Sequence, residues 1–302
     1  MGIVRKLCST FNNLKVFRLS NRNSYGYNNF ITCNISVDPL NPSSSNSFLT
    51  HGIHVFQCPD TVGIVAKLSD CIATRGGNIL SADVFVPQNK QVFYSRNVFV
   101  FDPAMWPRMQ MEEDFLRISK TFNAMRSVIR VPALDPKYKV AILASKQDHC
   151  LIDLLHGWQD GRLSVDITCV ISNHYRAPES EVIRFLEMHG VPYHYLGATA
   201  ENKREDEILE LVQNTDFLVL ARYIRAVDAG VKLIGATSYL VTEGLDTGPI
   251  IEQMVERVSH RDDLQSFVQK SENLEKQCLT SAIRSYSELR IMPYEENKTV
   301  VF

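Results

Sequence analysis

The chain has 302 residues, 45% of them hydrophobic and 22% charged, with a formal net charge of -2. That length accommodates two domains of ordinary size, and the composition is that of a globular protein. The near-neutral charge gives no general field for nucleic acid or membrane phosphates, and no apolar run is long enough to span a bilayer, so neither is expected as a partner.

The first fifty residues differ from the rest. No acidic residue precedes Asp38, while Arg5, Lys6, Lys15, Arg18 and Arg22 alternate with apolar, Ser and Asn residues. Basic, hydroxyl-rich and acid-free is the composition of an organellar transit peptide, with the mitochondrion as the expected destination. Residues 1–50 are therefore read as leader and linker, with residues up to about Phe30 removed or disordered.

From His51 the pattern becomes regular. Gly52–Cys58 alternates as a strand does, and Ile64, Val65, Leu68 and Ile72 follow at helical spacing before Gly76 and Gly77. Strands are predicted over Ile79–Val86 and Val92–Phe101, a helix through Phe115, Ile118, Phe122 and Met125, and a strand over Ser127–Val131. The order β-α-β-β-α-β is a split βαβ, or ferredoxin-like, unit over 51–132. It resembles ACT domains, which bind amino acids or similar effectors. The loop Asp60–Gly63 is either an ordinary turn or, at Asp60 and Gly63, a place for a small anionic effector at a helix start.

Pro132, Asp135 and Pro136 mark a linker to a second domain over 133–302. There strand and helix patterns alternate: Lys139–Ala144, a helix at Leu151–Trp158, Val165–Ile171, a helix at Val182–His189, Tyr193–Leu196, a helix around Ile208, and the wholly apolar Phe217–Ala221. This is the rhythm of a doubly wound, Rossmann-like sheet. Val231–Thr242 and Pro249–Val258 then read as strands about a turn, followed by a long helix from Leu264 and an apolar tail at Thr299–Phe302.

Three stretches fall where such sheets bind ligands, or in a tight turn. Ser172-Asn173-His174 ends one parallel strand and Ala221-Arg222-Tyr223-Ile224 another. Asp246 lies in the turn Glu243–Pro249. Each is equally the composition of an ordinary strand end or turn. The seven cysteines show neither a C-x-x-C pair nor a His/Cys cluster, so no metal is expected. The absence of G-x-G-x-x-G after the Lys139 strand argues against a nucleotide-dependent dehydrogenase.

Together these strings resemble the formyltetrahydrofolate deformylases. The resemblance is carried by Gly235-Ala236-Thr237, Val241-Thr242-Glu243, Leu245 to Gln253, Val255 to Asp262, Asn297 to Phe302, Phe101-Asp102-Pro103, Val170 to His174 and Leu220 to Tyr223. It runs from about His51 to the end. It implies an α/β fold, a ferredoxin-like ACT domain (βαββαβ) followed by a Rossmann-like formyltransferase domain. The activity it implies is hydrolysis of 10-formyltetrahydrofolate to formate and tetrahydrofolate, in one-carbon metabolism. Folate is then the substrate, no cofactor is called for, and a homo-oligomer is expected. In that family an Asn and a His steady the formyl oxygen, and an Asp orients the His and handles the proton of the attacking water. The Asp carries over to Asp246. The folate site carries over to Ala221, Arg222, Tyr223 and Ile224 and to the turn bearing Val241 and Gly248.

One departure matters. The family's strand bearing N-I-H-H is not found: Ile224 runs directly into Arg225–Gly230, and no N-I-H string occurs in the chain. A segment of about thirty residues, one βα unit, is missing after Ile224, and the catalytic Asn and His go with it. Tyr239 stands where the family has His. Loss of an interior strand should also leave its neighbours' edges unpaired. The alternative reading is thus a catalytically impaired family member, acting by folate binding or regulation.

Overall fold

The computed structural model describes residues 15–20, 49–197, 203–221, 233–242, 248–259, 261–295 and 298–302. It divides into two compact units, 24–136 and 137–301, the second also taking in a strand β1 (Lys15–Ser20).

The first unit runs β2 (Thr50–Pro59), α1 (Ile64–Thr74), β3 (Asn78–Phe85), β4 (Val92–Phe101), α2 (Arg108–Thr121) and β5 (Arg126–Arg130). Its four strands lie in the order β3-β4-β2-β5, all neighbours antiparallel, as a ferredoxin-like unit requires. The apolar stripe of α1, Ile64, Leu68 and Ile72, is buried with Met111, Phe115 and Ile118 of α2 against Phe56, Phe99 and Phe101 of the sheet. Trp106, fully buried, packs 5.6 Å from Phe99 and 5.7 Å from Phe115, centroid to centroid. Aromatic rings of this size dominate the burial energy of so small a core. The helix expected to reach Met125 stops at Thr121, because Asn123 takes a positive φ of 50° and turns the chain into β5.

The second unit runs β6 (Tyr138–Ala144), α3 (His149–Gln159), β7 (Val165–Ser172), α4 (Glu181–Met188), β8 (Tyr193–Tyr195), α5 (Lys203–Leu211), β9 (Phe217–Ala221), β10 (Leu233–Leu240), β11 (Ile250–Arg257), α6 (Leu264–Ser287), β12 (Ile291–Glu295) and β13 (Lys298–Val301). Its main sheet has the order β11-β10-β1-β9-β6-β7-β8. The strands β1, β9, β6, β7 and β8 are parallel, and β10 runs against them. Both faces are covered, which is why β9 reads as a continuous apolar run. Val140 and Ile142 share one core with Leu151, Leu154, Phe217, Val219, Leu279 and Ile283, while Ala141 and Leu218 belong to another with Cys169, Ile208 and Val212. The period of two along each strand sends alternate residues to opposite helical layers. The tail read as merely apolar pairs with β12 in a two-stranded ladder, Ile291 opposite Val301.

One expectation meets a correction here. The neighbours of the missing segment are not left with bare edges, because β1 pairs with β9 on one side and β10 on the other.

Candidate active site

Ligands of open α/β sheets bind beyond the carboxyl ends of the parallel strands. At this edge the ends of β6 and β7 and the start of β8 are tied together by a buried cation. The Arg176 guanidinium, its side chain only 6% exposed, donates to Ser172 Oγ at 2.9 Å, to the Ser145 carbonyl at 2.8 Å, to the Tyr193 hydroxyl and to Asp148 Oδ1. Burial works against the charged guanidinium, but these acceptors outweigh it and hold the group charged. The same network fixes the turn after β7. The His174 amide donates to Ser172 Oγ at 3.2 Å, and the Tyr193 hydroxyl donates to the His174 carbonyl at 2.6 Å. Ser172 is buried and Asn173 is exposed. The Ser172–His174 turn is thus a rigid part of the ligand edge.

The expected folate residues divide. Ala221 ends β9, 3% exposed and paired with Ala144 of β6. Val241 follows β10, half-buried against the core of Ala141 and Leu218. Gly248 closes the hairpin, and a Cβ there would come within 1.6 Å of the Leu240 carbonyl oxygen, so only glycine fits. The Leu240 amide donates to the Pro249 carbonyl at 3.0 Å across the same turn. Arg222, Tyr223, Ile224 and Asp246 lie outside the described residues. Register relates the two halves: Phe17 of β1 is opposite both Val219 and Leu240. The segments leading to Ala221 and to Val241 are therefore one strand apart, about 10 Å at ordinary strand spacing. Tyr239, at the family's His position, is buried at 5% exposure and paired with Arg18 of β1.

A second polar cluster has no signal in the sequence, because His149 and Glu275 are 126 residues apart. His149 Nε2 lies 2.9 Å from Glu275 Oε2, joining the start of α3 to the middle of α6. With Cys150 these side chains form the one group, among the described residues, whose donor atoms lie close enough (within 4.8 Å) to share a metal ion. The geometry favours a hydrogen-bonded pair over ligation: 2.9 Å is a charge-assisted hydrogen-bond length, and burial, with the Glu275 charge beside it, pushes the Cys150 thiol far up, away from the thiolate a metal needs.

In the first unit Asp60 is exposed and its amide donates to the Gln91 carbonyl at 3.0 Å. Gly63 caps α1 with φ of 93°, and no side chain bonds the cap. A separate cleft of about 470 Å³ lies between α1 and α2, lined by Lys67, Asp70, Arg75, Asp114 and Arg117 among others.

Comparison with known proteins decides the family. The chain is 61% identical to formyltetrahydrofolate deformylase 1, mitochondrial, of Arabidopsis thaliana, over 86% of this chain and 91% of that protein. The chain belongs to the formyltetrahydrofolate deformylase family. A Synechocystis formyltetrahydrofolate deformylase is 33% identical over 81% of this chain and 96% of its own length. The crystal structure of a formyltetrahydrofolate deformylase from Pseudomonas syringae pv. tomato superposes with a TM-score of 0.71 at 33% identity, covering 85% of this chain and 95% of that one. The formyl transferase family model matches residues 220–283, from the end of β9 into α6. The Arabidopsis match spans 293 positions but only 86% of the 302 residues here, about 260, so about 33 aligned positions have no residue of this deformylase-family chain. The Synechocystis match gives a similar figure, 281 positions against about 245 residues.

Proposed function

We propose that this chain hydrolyses 10-formyltetrahydrofolate to formate and tetrahydrofolate in the mitochondrion. The observation that carries the reading is 61% identity to a mitochondrial deformylase over 91% of its length. In the reaction, water adds to the formyl carbon and the bond from that carbon to the folate nitrogen breaks. Asp246 takes the water's proton and passes it toward the departing nitrogen. Ala221 to Ile224 and the turn bearing Val241 and Gly248 hold the folate ring. The rigid end of β9 and the glycine-only contact at Gly248 support this assignment, since a fixed cradle for a flat ring needs backbone that cannot drift. A small amino-acid effector at Asp60 and Gly63, and association into a homo-oligomer, belong to the same reading. Formate release from 10-formyltetrahydrofolate by the purified chain tests it. Asp246→Ala should lower turnover by about a hundredfold or more.

One observation favours a second reading. About thirty aligned positions are missing, no N-I-H string occurs in the sequence, and the family's Asn and His would lie on that segment. On this reading the chain binds folate without turning it over. Tight binding with formate release at background supports the second reading. Release well above background supports the first, and then a different pair of donors must serve the formyl oxygen.

A further inference from the structure

Two tyrosines face solvent at the carboxyl end of the second unit's sheet. Tyr175, in the turn after β7, is 69% exposed, and Tyr195, the last residue of β8, is 49% exposed. Their rings meet edge to face, with centroids 5.9 Å apart and planes at 80°. Between β7 and Tyr175, the exposed Asn173 side chain has no hydrogen-bond partner among the described residues. The turn that carries Asn173 and Tyr175 is fixed from below: the buried Arg176 guanidinium donates to Ser172 Oγ, and the Tyr193 hydroxyl donates to the His174 carbonyl. Exposed aromatic faces and a free carboxamide on a pinned turn suit a small-molecule contact. The faces gain by stacking, and the fixed backbone loses little freedom on binding.

Register ties this corner of the sheet to the ring site. Ala221, Ala144, Ser172 and Tyr195 are consecutive partners across β9, β6, β7 and β8. At ordinary strand spacing the row is about 14 Å from end to end, and Tyr195 is its first large member. Folate is elongated: a fused ring, then a benzoyl amide, then glutamate. We propose that Tyr175, Tyr195 and Asn173 form the subsite for the benzoyl-glutamate half of the substrate. The tyrosine faces take the benzoyl ring, and the Asn173 carboxamide pairs with the amide beside it. The proposal rests on the deformylase reading, which puts the fused ring at Ala221 to Ile224. Arg176 is then a positioning residue, acting through the turn from which Asn173 and Tyr175 project.

Calorimetric binding to the purified full chain tests the subsite without reference to formate release. The probes are tetrahydrofolate and a dimethyltetrahydropterin, which has the fused ring and no tail. The natural chain should bind tetrahydrofolate about tenfold or more tightly than the pterin. Tyr175→Ala combined with Tyr195→Ala should weaken tetrahydrofolate by about tenfold and leave the pterin unchanged. Phe at both positions should restore most of the loss. Asn173→Ala, a truncation at an exposed position, should weaken tetrahydrofolate alone by about fivefold, and it decides the matter if the double variant fails to fold. The proposal falls if these variants bind tetrahydrofolate as the natural chain does, or if both probes weaken together. A natural chain that binds the two probes equally removes the tail subsite and leaves the ring site standing. A natural chain that binds neither removes the folate reading and the subsite with it.

Discussion

His54 is fully buried in the first unit, its ring stacked 3.9 Å from Phe115 and its Nε2 3.0 Å from Ser127 Oγ. Its Nδ1 has no hydrogen-bond partner. Burial disfavours the imidazolium and pushes the pKa down to about 3. The unfolded chain takes up a proton near the ordinary 6.5 while the folded one does not, so the unfolded state binds more protons between those values. Stability should therefore be fully present above pH 6.5 and fall as pH drops toward 3, by up to about 1.4 kcal/mol per unit. His54→Gln keeps a polar partner for Ser127 and removes the titration. Urea unfolding of the first unit's transition at pH 7, 5.5 and 4 should show the natural chain losing stability relative to the variant. Parallel pH profiles would rule out this account. Gly52 illustrates a second residue-scale constraint. A Cβ there would meet the Phe99 ring at 2.5 Å, so the ring covers a bare stretch of backbone on the opposing strand.

At the scale of elements, α1 and α2 are held by one buried carboxylate. Asp114 is 6% exposed and accepts from Arg75 Nε at 2.7 Å and Nη2 at 3.0 Å, from Trp106 Nε1 at 3.0 Å and from Arg117 at 3.0 Å. Burial raises its pKa, but the donors from Arg75 and Trp106 outweigh burial and hold it below the usual carboxylate range. Asp114→Ala strands the Trp106 N–H and uncouples the two helices. It should cost on the order of 3 kcal/mol, read as a lower denaturant midpoint, and Asp114→Asn should recover part of it. A loss below ~0.5 kcal/mol for the alanine variant would show the cluster to be a solvated surface pair instead. Most elements were legible in the sequence because their periodicity is strong: Val92–Phe101 and Phe217–Ala221 have the same bounds in both. β12 was not, because Pro293 and the acidic Glu295-Glu296 interrupt the alternation that marks a strand. β1 was not either, since its partners lie at the other end of the chain and local pattern carries no sign of them. Of the site, the strand ends at Ser172 and Ala221 could be read from topology, while the close approach that demands glycine at 248 could not, because it depends on where Leu240 lies. The Arg176 network and the His149–Glu275 pair could not, because only the fold brings their members together.

For the whole molecule, the first unit has a complete core of its own and an edge strand that is not fully covered. On β3, Leu80 is 53% and Val84 49% exposed, alternating with half-buried neighbours. Apolar side chains along an open edge favour pairing with a second copy. The full chain should sediment as a dimer or larger species, and Val84→Lys should shift it toward monomer with the thermal transition of the first unit kept. A natural chain that sediments as a strict monomer would remove the basis for self-association through this edge. The pairing of β1 has a consequence of another kind. Phe17 must find Val219 and Leu240, partners about two hundred residues further on, so the sheet's interior cannot close until nearly the whole chain has been made. Such long-range pairing folds slowly.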